Sequence, residues 1–388
     1  MDLSGNHIDD TGTQYLANVL QNNATITELN ISNNEISDVG VQYLADMLRN
    51  NTTMIALDLS SNAITDIGAQ QLFNSLETNK TITKMKLTAN KSKYCEAIGI
   101  TIGIRNDKTL TSIDLRMKQY GDNEMKLLAN ELYNNKTITE LTLRKNNISD
   151  IGIKYLADAL KDNQVLTILE LSYNQIGNNG AQYLNDAFKQ NKTLIRLNLG
   201  GNPSSYCTTV SAAIQIRNNK TIAKMDLHAK SINDIAMKFL TDTLINNETI
   251  IELNLSQNKI GDIGIQYLAD ALKDNKILTT LNLSDDQIGN NGAQYLHNAF
   301  KENKTLIRLN LGGNPSRYCT TVSAAIQIRN DKTITKMDLR SKSIDDIDMQ
   351  FLTDALINNE TITELNLSYN NIGDVGAQHL ADILRHNK

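Results

Sequence analysis

The stretch Leu253-Asn-Leu-Ser-Gln-Asn-Lys-Ile-Gly-Asp-Ile-Gly264 is one copy of a 28-residue repeat that runs through the whole chain. Fourteen copies follow one another without insertion or deletion. The first apolar residue of each copy is 28 positions from the next: Met1, Leu29, Leu57, Met85, Ile113, Leu141, Leu169, Leu197, Met225, Leu253, Leu281, Leu309, Met337 and Leu365. A repeat this short cannot bury its own apolar face, so successive copies must stack into a one-dimensional array.

Each repeat predicts one short strand, one turn and one helix. Leu253 and Leu255 alternate with polar residues, as in a half-buried strand. The amide of Asn258 can donate and accept hydrogen bonds in the tight turn that follows. Asp262 is expected to cap the N-terminus of the helix. Asn275 is expected to end the helix in the left-handed conformation, and Asn or Asp holds this place in all fourteen repeats.

This pattern resembles the leucine-rich repeat, in its long ribonuclease-inhibitor-like (NLR-type) subclass. A full copy is Leu365-Asn-Leu-Ser-Tyr-Asn-Asn-Ile-Gly-Asp-Val-Gly376. The resemblance implies an α/β fold: a right-handed, horseshoe-shaped solenoid of about 14 repeats. It places a parallel sheet on the concave face and the helices on the convex face.

A second, longer period groups the repeats in fours. The chain reads as a single solenoid over residues 1–388, with an N-terminal repeat at 1–28, four-repeat blocks at 29–140, 141–252 and 253–364, and a truncated repeat at 365–388. The fourth repeat of each block replaces the turn Asn with Lys118, Lys230 or Lys342, which has no acceptor. Neither end shows a polar cap, so we expect a segment of a longer protein, end repeats that serve as caps, or self-association through open edges.

Composition argues against several classes of partner. The net charge of −5 and a pI of about 5.6 oppose general binding to nucleic acids or anionic membranes. No apolar run reaches the ~20 residues of a membrane span, and no signal peptide is seen. Cys95, Cys207 and Cys319 are four repeats apart, roughly 19 Å in a stack of strands, so they cannot pair and are expected to be buried apolar residues. These features predict a cytoplasmic location.

The sequence offers no constellation for catalysis. No two of the five histidines form a plausible metal-ligand pair, since His379 and His386 are seven residues apart on the last predicted helix. Phosphate-binding and nucleophile-elbow motifs are missing. We therefore predict that the protein is not an enzyme and needs no cofactor or metal.

One region of the predicted concave face differs from the rest. The arginine–tyrosine patch consists of Arg116, Met117, Arg144, Lys145, Ile168 and Tyr173 on three consecutive strands. Equivalent positions on neighbouring strands lie about 5 Å apart, and arginine and tyrosine are typical of binding hot spots. The matching residues one block later are His228, Ala229, Ser256, Gln257, Thr280 and Asp285, so the cluster is not repeated.

The alternative is that these are ordinary exposed strand residues, with charges offset by Asp114, Glu140 and Glu170. Arg340 and Tyr369 form a second, smaller candidate for partner binding. The function that follows is a non-enzymatic module that binds a protein partner on its concave face, as scaffold, sensor or inhibitor. The resemblance leaves two alternatives: a GTPase-activating protein of the Ran type, and a structural array that associates through its open ends.

Overall fold

The computed structural model describes residues 1–77, 79–357 and 359–385. These residues alternate α-helices with three-residue parallel strands, as predicted for a solenoid of about fourteen repeats. They form two compact halves, an N-terminal half (Met1–Ser204) and a C-terminal half (Ser205–Lys388).

In the N-terminal half the helices are α1 (Asp10–Leu20), α2 (Asp38–Asn50), α3 (Asp66–Ser75), α4 (Lys93–Asn106), α5 (Asp122–Tyr133), α6 (Asp150–Leu160) and α7 (Asn178–Phe188). The strands are β1 (Glu28–Asn30), β2 (Ala56–Asp58), β3 (Lys84–Lys86), β4 (Ser112–Asp114), β5 (Glu140–Thr142), β6 (Ile168–Glu170) and β7 (Arg196–Asn198). They form two parallel sheets, β1-β2-β3 and β4-β5-β6-β7. Paired residues are 28 positions apart, as Leu141 and Leu169 show.

In the C-terminal half the helices are α8 (Cys207–Asn218), α9 (Asp234–Leu244), α10 (Asp262–Asp274), α11 (Asn290–Glu302), α12 (Cys319–Asn330), α13 (Asp346–Leu356) and α14 (Asp374–Leu384). The strands are β8 (Lys224–Asp226), β9 (Glu252–Asn254), β10 (Thr280–Asn282), β11 (Arg308–Asn310), β12 (Lys336–Asp338) and β13 (Glu364–Asn366). Their parallel sheets are β8-β9-β10-β11 and β12-β13.

The sheet in each half is interrupted, although the repeat pattern predicted one continuous ladder. In the N-terminal half the interruption follows β3, and α4 lies directly against this strand. A Cβ atom on Gly99 of α4 would come within 2.6 Å of the Met85 carbonyl oxygen of β3. The helix backbone therefore covers part of the strand, and the described residues show no pairing of β3 with β4.

The core lies between the strands and the helices of successive repeats. Leu141 and Leu143 of the fifth strand region, and Leu156 of α6, are fully buried. Burial of such a side chain contributes roughly 2 kcal/mol. Because neighbouring repeats supply equivalent apolar residues, such as Leu169 and Leu171 in the next repeat, the core extends from repeat to repeat within each half.

The turn asparagines form the predicted ladder. Nδ2 of Asn174 donates to the carbonyls of Leu143 and Leu171, both at 3.0 Å. Its Oδ1 accepts from the Ile148 backbone N–H at 3.2 Å. One side chain thus satisfies backbone groups of its own repeat and of the preceding one.

Where lysine replaces the ladder asparagine, the turn is stabilised by a hydrogen bond to the asparagine of the next repeat, and it contains a second left-handed residue. The backbone N–H of Lys230 donates to Oδ1 of Asn258 at 2.9 Å. Lys118 directs its ammonium group to Glu96 at 2.7 Å. The residue after each lysine then takes a positive φ: Gln119, Ser231 and Ser343.

The prediction that Asp262 caps its own helix is wrong. Helix α10 begins at Asp262 with Gly261 as its N-cap, and the Asp234 carboxylate of the preceding repeat accepts from the Gly261 N–H at 2.6 Å. The Asp262 carboxylate instead accepts from the backbone N–H groups of Gly289 at 2.6 Å and Gly292 at 2.9 Å, at the start of α11. A side chain in the first helical turn points away from its own free N–H groups, so the cap is supplied across the repeat interface.

The prediction of a left-handed Asn275 is also wrong. This residue has φ −70° and ψ 126°, which is extended backbone. Its Nδ2 donates to the Leu244 carbonyl at 2.7 Å, and its Oδ1 accepts from the Leu278 N–H at 2.8 Å. Asn275 thus belongs to a second ladder of asparagines, which lies at the helix ends. The left-handed residues of the repeat lie at the strand ends instead, as Gln257 with φ 56° shows.

The three cysteines are buried, as predicted. Burial raises the pKa of the Cys95 and Cys319 thiols to about 11. The equivalent residues of regular repeats, such as Val39 and Ile67, are more than half exposed. The helices that carry Cys95 and Cys319 lie against the strands of their own repeats, α4 against β3 and α12 against β11.

Candidate protein-binding surface

The predicted patch is one surface. Strands β4, β5 and β6 are neighbours in register, with Ser112 paired to Glu140 and Glu140 paired to Ile168. This register sets Arg116 beside Arg144 on adjacent strand ends. The structure therefore brings the arginine–tyrosine patch together within the N-terminal half.

Three patch residues stand on left-handed backbone. Met117, Lys145 and Tyr173 have φ values of 60°, 54° and 56°. The same position is glycine at Gly201, and the conformation costs a non-glycine residue about 1–2 kcal/mol. Backbone hydrogen bonds to the next repeat hold it, as from Lys145 to the Ser172 carbonyl at 3.0 Å. The same left-handed position recurs at other strand ends, as at Ser61 and Gln257, so it belongs to the repeat and does not single out the patch.

Tyr173 is the centre of the patch. Its ring lies 5.0 Å from the Arg144 guanidinium carbon and 5.9 Å from the Lys145 ammonium nitrogen. The ring also lies over Gly201, where a Cβ atom would approach Tyr173 Cδ1 to 2.8 Å. The glycine thus leaves the space that the ring occupies. Tyr173 remains 53% exposed and is available to a partner.

A shallow cleft of about 170 Å³ opens beside Tyr173. Its lining includes Arg116, Glu140, Arg144, Ile168, Glu170 and Arg196. Arg196 was missed by the sequence analysis, although it pairs in register with Ile168 on the next strand. The sequence analysis could have found Arg196 from its position directly before Leu197, the first core residue of β7.

Two of the three acidic groups beside the patch are engaged locally. Arg116 holds Asp114 through Nη2 at 2.7 Å, and its hydrogen bonds lower the pKa of that carboxyl. Glu170 accepts from Asn198 Nδ2 at 2.7 Å and from the Ser172 N–H at 2.8 Å. Arg116 therefore compensates the charge of Asp114, whereas Glu170 is held by neutral donors and keeps its negative charge.

Glu140 is the third acidic group. The equivalent glutamates in the later blocks pair with a lysine on the preceding strand, Lys224 with Glu252 at 2.8 Å and Lys336 with Glu364 at 2.7 Å. Ser112 takes the lysine position beside Glu140. Within the described part of the chain, Glu140, Arg144, Lys145 and Arg196 form no ion pair with one another.

The second candidate repeats part of this chemistry in the C-terminal half. The Arg340 guanidinium carbon lies 4.6 Å from the centroid of the Tyr369 ring, across the paired strands β12 and β13. Tyr369 is 77% exposed and left-handed, with φ 57°. The two residues are in contact, as their positions in the repeat predicted.

The described residues contain no group of three or more His, Cys, Asp or Glu side chains placed to hold a metal ion. His386 lies outside the described residues. Throughout 1–77, 79–357 and 359–385, every helix is too short or too polar to serve as a membrane span.

Comparison with protein families identifies the repeat. The family described as Leucine Rich repeat matches residues 1–17, 22–45, 50–73, 134–157, 162–184, 246–269, 274–296 and 358–381. The chain contains leucine-rich repeats. No curated protein matches it. Leucine-rich repeats are generally non-enzymatic scaffolds for protein interaction, and nothing in the match specifies a subclass.

Two solved structures are similar over about half of the chain. Leiomodin-1 actin-binding site 2 is 19% identical, with a TM-score of 0.23, over 52% of this chain and 87% of that one. The tropomodulin C-terminal domain of Caenorhabditis elegans is 12% identical, with a TM-score of 0.31, over 46% of this chain and 92% of that one.

Proposed function

We propose that the protein binds a protein partner through the arginine–tyrosine patch. The observation that carries this proposal is the exposed ring of Tyr173, flanked by Arg144 and Lys145. Tyrosine and arginine dominate the binding energy of many interfaces.

The charges of the patch favour an acidic partner surface. Arg144, Lys145 and Arg196 outnumber Glu140 and Glu170 among the patch groups that form no ion pair in the described residues, because only Asp114 is paired, with Arg116. The guanidinium groups can bind carboxylates in bidentate fashion. Exposed Met117 and half-buried Ile168 add an apolar contact area beside them.

We further assign the chain to the ribonuclease-inhibitor-like subclass, since each 28-residue repeat carries a full helix rather than a short turn. The reduced, buried thiols of Cys95 and Cys319 support a cytoplasmic location. Partner binding on the strand side suits a scaffold, a sensor or an inhibitor that acts by occlusion.

The substitutions that test this proposal copy the residues found at the equivalent positions of the next four-repeat block. Arg144→Ser, Lys145→Gln and Tyr173→Asp together place the residues of Ser256, Gln257 and Asp285 in the patch, so the fold should be retained. Affinity capture from source-cell lysate, followed by calorimetric titration of the captured protein, compares wild type with this triple variant. Loss of a hot-spot tyrosine and arginine predicts at least about thirtyfold weaker binding, roughly 2 kcal/mol.

An Arg340→Ser and Tyr369→Asp variant is the matched control. Binding that survives this change and fails in the triple variant supports the arginine–tyrosine patch. Equal binding by the triple variant and the wild type would overturn the proposal.

A further inference from the structure

A cleft opens on the helix side of the N-terminal half, where α4 is drawn toward β3. The α3–α5 cleft has a volume of about 540 Å³ and is lined by Phe73, Glu77, Arg105, Glu131, Tyr133, Tyr155 and Asp158. This volume lies in the range of ligand pockets, roughly 300–1,000 Å³. It is separate from the arginine–tyrosine patch, which lies on the strand side.

The floor of the cleft is a compensated ion pair. Arg105 Nη2 lies 2.5 Å from Glu131 Oε1, and both side chains are only 12% exposed. The Arg105 guanidinium also lies 4.9 Å from the Phe73 ring centroid and donates to the Leu76 carbonyl at 3.0 Å. The pair is fully used by the fold and leaves no net charge on the floor.

The rim of the cleft combines aromatic rings with carboxylates. Tyr133 is 51% exposed and Tyr155 is 36% exposed. Glu77 and Asp158 are exposed, and neither is in an ion pair within the described ranges. The Lys126 ammonium nitrogen lies 6.0 Å from the centroid of the Tyr155 ring, at the outer limit of a cation–π contact. Aromatic faces beside carboxylates attract an ammonium group.

In the third block, the position equivalent to Glu77 in this cleft is occupied by a lysine of the chain itself. Residues 224 positions later are His297 for Phe73, Lys301 for Glu77 and Asp354 for Asn130. There the Lys301 ammonium lies 2.6 Å from Asp354 Oδ2 and the His297 Nε2 lies 3.2 Å from the same oxygen. The chain's own lysine therefore bridges α11 to α13.

We infer that the α3–α5 cleft is a second docking surface, which takes a lysine side chain from a basic segment of a protein partner. Tyr133 and Tyr155 supply the aromatic contact, and Glu77 and Asp158 supply the charge. The first block has Glu77 where the third block has Lys301, so this lysine bridge is missing and the exposed Glu77 carboxylate is open to a cation from a partner. This surface does not depend on binding at the arginine–tyrosine patch.

The test is fluorescence anisotropy with a fluorescein-labelled peptide of lysine, serine and glycine, titrated with the full chain. The double variant Glu77→Lys with Asn130→Asp copies the Lys301–Asp354 ion pair of the third block. Because the third block contains this pair, we expect the double variant to fold. We expect the peptide to bind the wild type, and the double variant to bind at least about tenfold more weakly. Tyr133→Ile, which copies Ile357, is expected to weaken binding while the exposed position keeps the fold intact.

The control for charge alone is Glu248→Gln, which changes the net charge by the same +1 as the double variant. Normal binding by this control, with weak binding by the double variant, supports the inference. Unchanged binding by the double variant would overturn it, as would an equal loss in the control. A peptide with glutamine in place of lysine that binds as tightly would also overturn it.

Discussion

Asp286 stands at a ladder position that asparagine fills at Asn258 and Asn174, and this substitution should make stability depend on pH. Its Oδ1 accepts from the N–H groups of Asn258 at 3.0 Å and Ile260 at 3.2 Å. Its Oδ2 is buried and has no hydrogen-bond partner within the described residues. Burial raises the pKa of this carboxyl to about 7, and the charge of Asp285 adds to the effect.

The magnitude follows from linkage between protonation and folding. The carboxyl has an ordinary pKa of 3.8 when unfolded and about 7 when folded. A difference of about three pKa units is equivalent to about 4 kcal/mol. The folded state holds the proton more tightly, so this stability is complete below pH 4 and is lost as the pH rises from about 4 to about 7.

Asp286→Asn should remove the loss of stability at higher pH, because an asparagine side chain does not ionise. The new amide can donate to the carbonyls of Leu255 and Leu283, in the way that Asn258 donates to Leu227 and Leu255. These bonds contribute about 1 kcal/mol at any pH. The variant should therefore exceed wild type by about 1 kcal/mol at pH 4 and by about 5 kcal/mol at pH 8.

Urea unfolding followed by circular dichroism at pH 4 and pH 8 measures this difference. Glu248→Gln is the control for charge, because that side chain is exposed and does not contribute to the raised pKa of Asp286. Asn174→Asp should introduce the same pH dependence in the N-terminal half. The reasoning is refuted if Asp286→Asn gains no more stability at pH 8 than at pH 4.

Three further changes test single contacts, each by the free energy of unfolding. Tyr120 is fully buried with an unpartnered hydroxyl, so Tyr120→Phe should stabilise by about 1 kcal/mol; a loss would show that the hydroxyl is satisfied. Ala229 has φ 53°, so Ala229→Gly should stabilise by about 1 kcal/mol, and a destabilised variant would contradict the left-handed assignment. A Cβ atom on Gly40 would lie 2.6 Å from Asp10 Oδ1, which accepts the Gly40 N–H at 2.9 Å. Gly40→Ala should therefore destabilise by about 2 kcal/mol, and a neutral effect would mean that the repeat interface yields easily.

The repeat period predicted most of the architecture because it fixes register. Once Leu141 and Leu169 are equivalent, the strands that carry them must be neighbours, and Arg144 must lie near Tyr173. The ladder role of Asn174 followed from the same reasoning, since an amide is the side chain that both donates and accepts in a tight turn.

Other features depend on distances between helices and strands, which the 28-residue period does not determine. The interruption after β3 arises from how closely the backbone at Gly99 approaches Met85. The carboxylate of Asp262 was assigned to the wrong helix, because sequence spacing does not show that the first helical turn faces the next repeat. The α3–α5 cleft is lined by side chains from four successive helices, α3 to α6, whose spacing composition alone could not indicate.

The most direct test of the central claim is covalent labelling of lysines in the presence and absence of the captured partner. Lys145 lies in the arginine–tyrosine patch, and Lys154 lies on α6 on the opposite side of the same repeat; both are exposed. An amine-reactive acetylating reagent and mass spectrometry report the reactivity of each. The account predicts that the partner protects Lys145 and leaves Lys154 unchanged, whereas protection of Lys154 with Lys145 still reactive would contradict it.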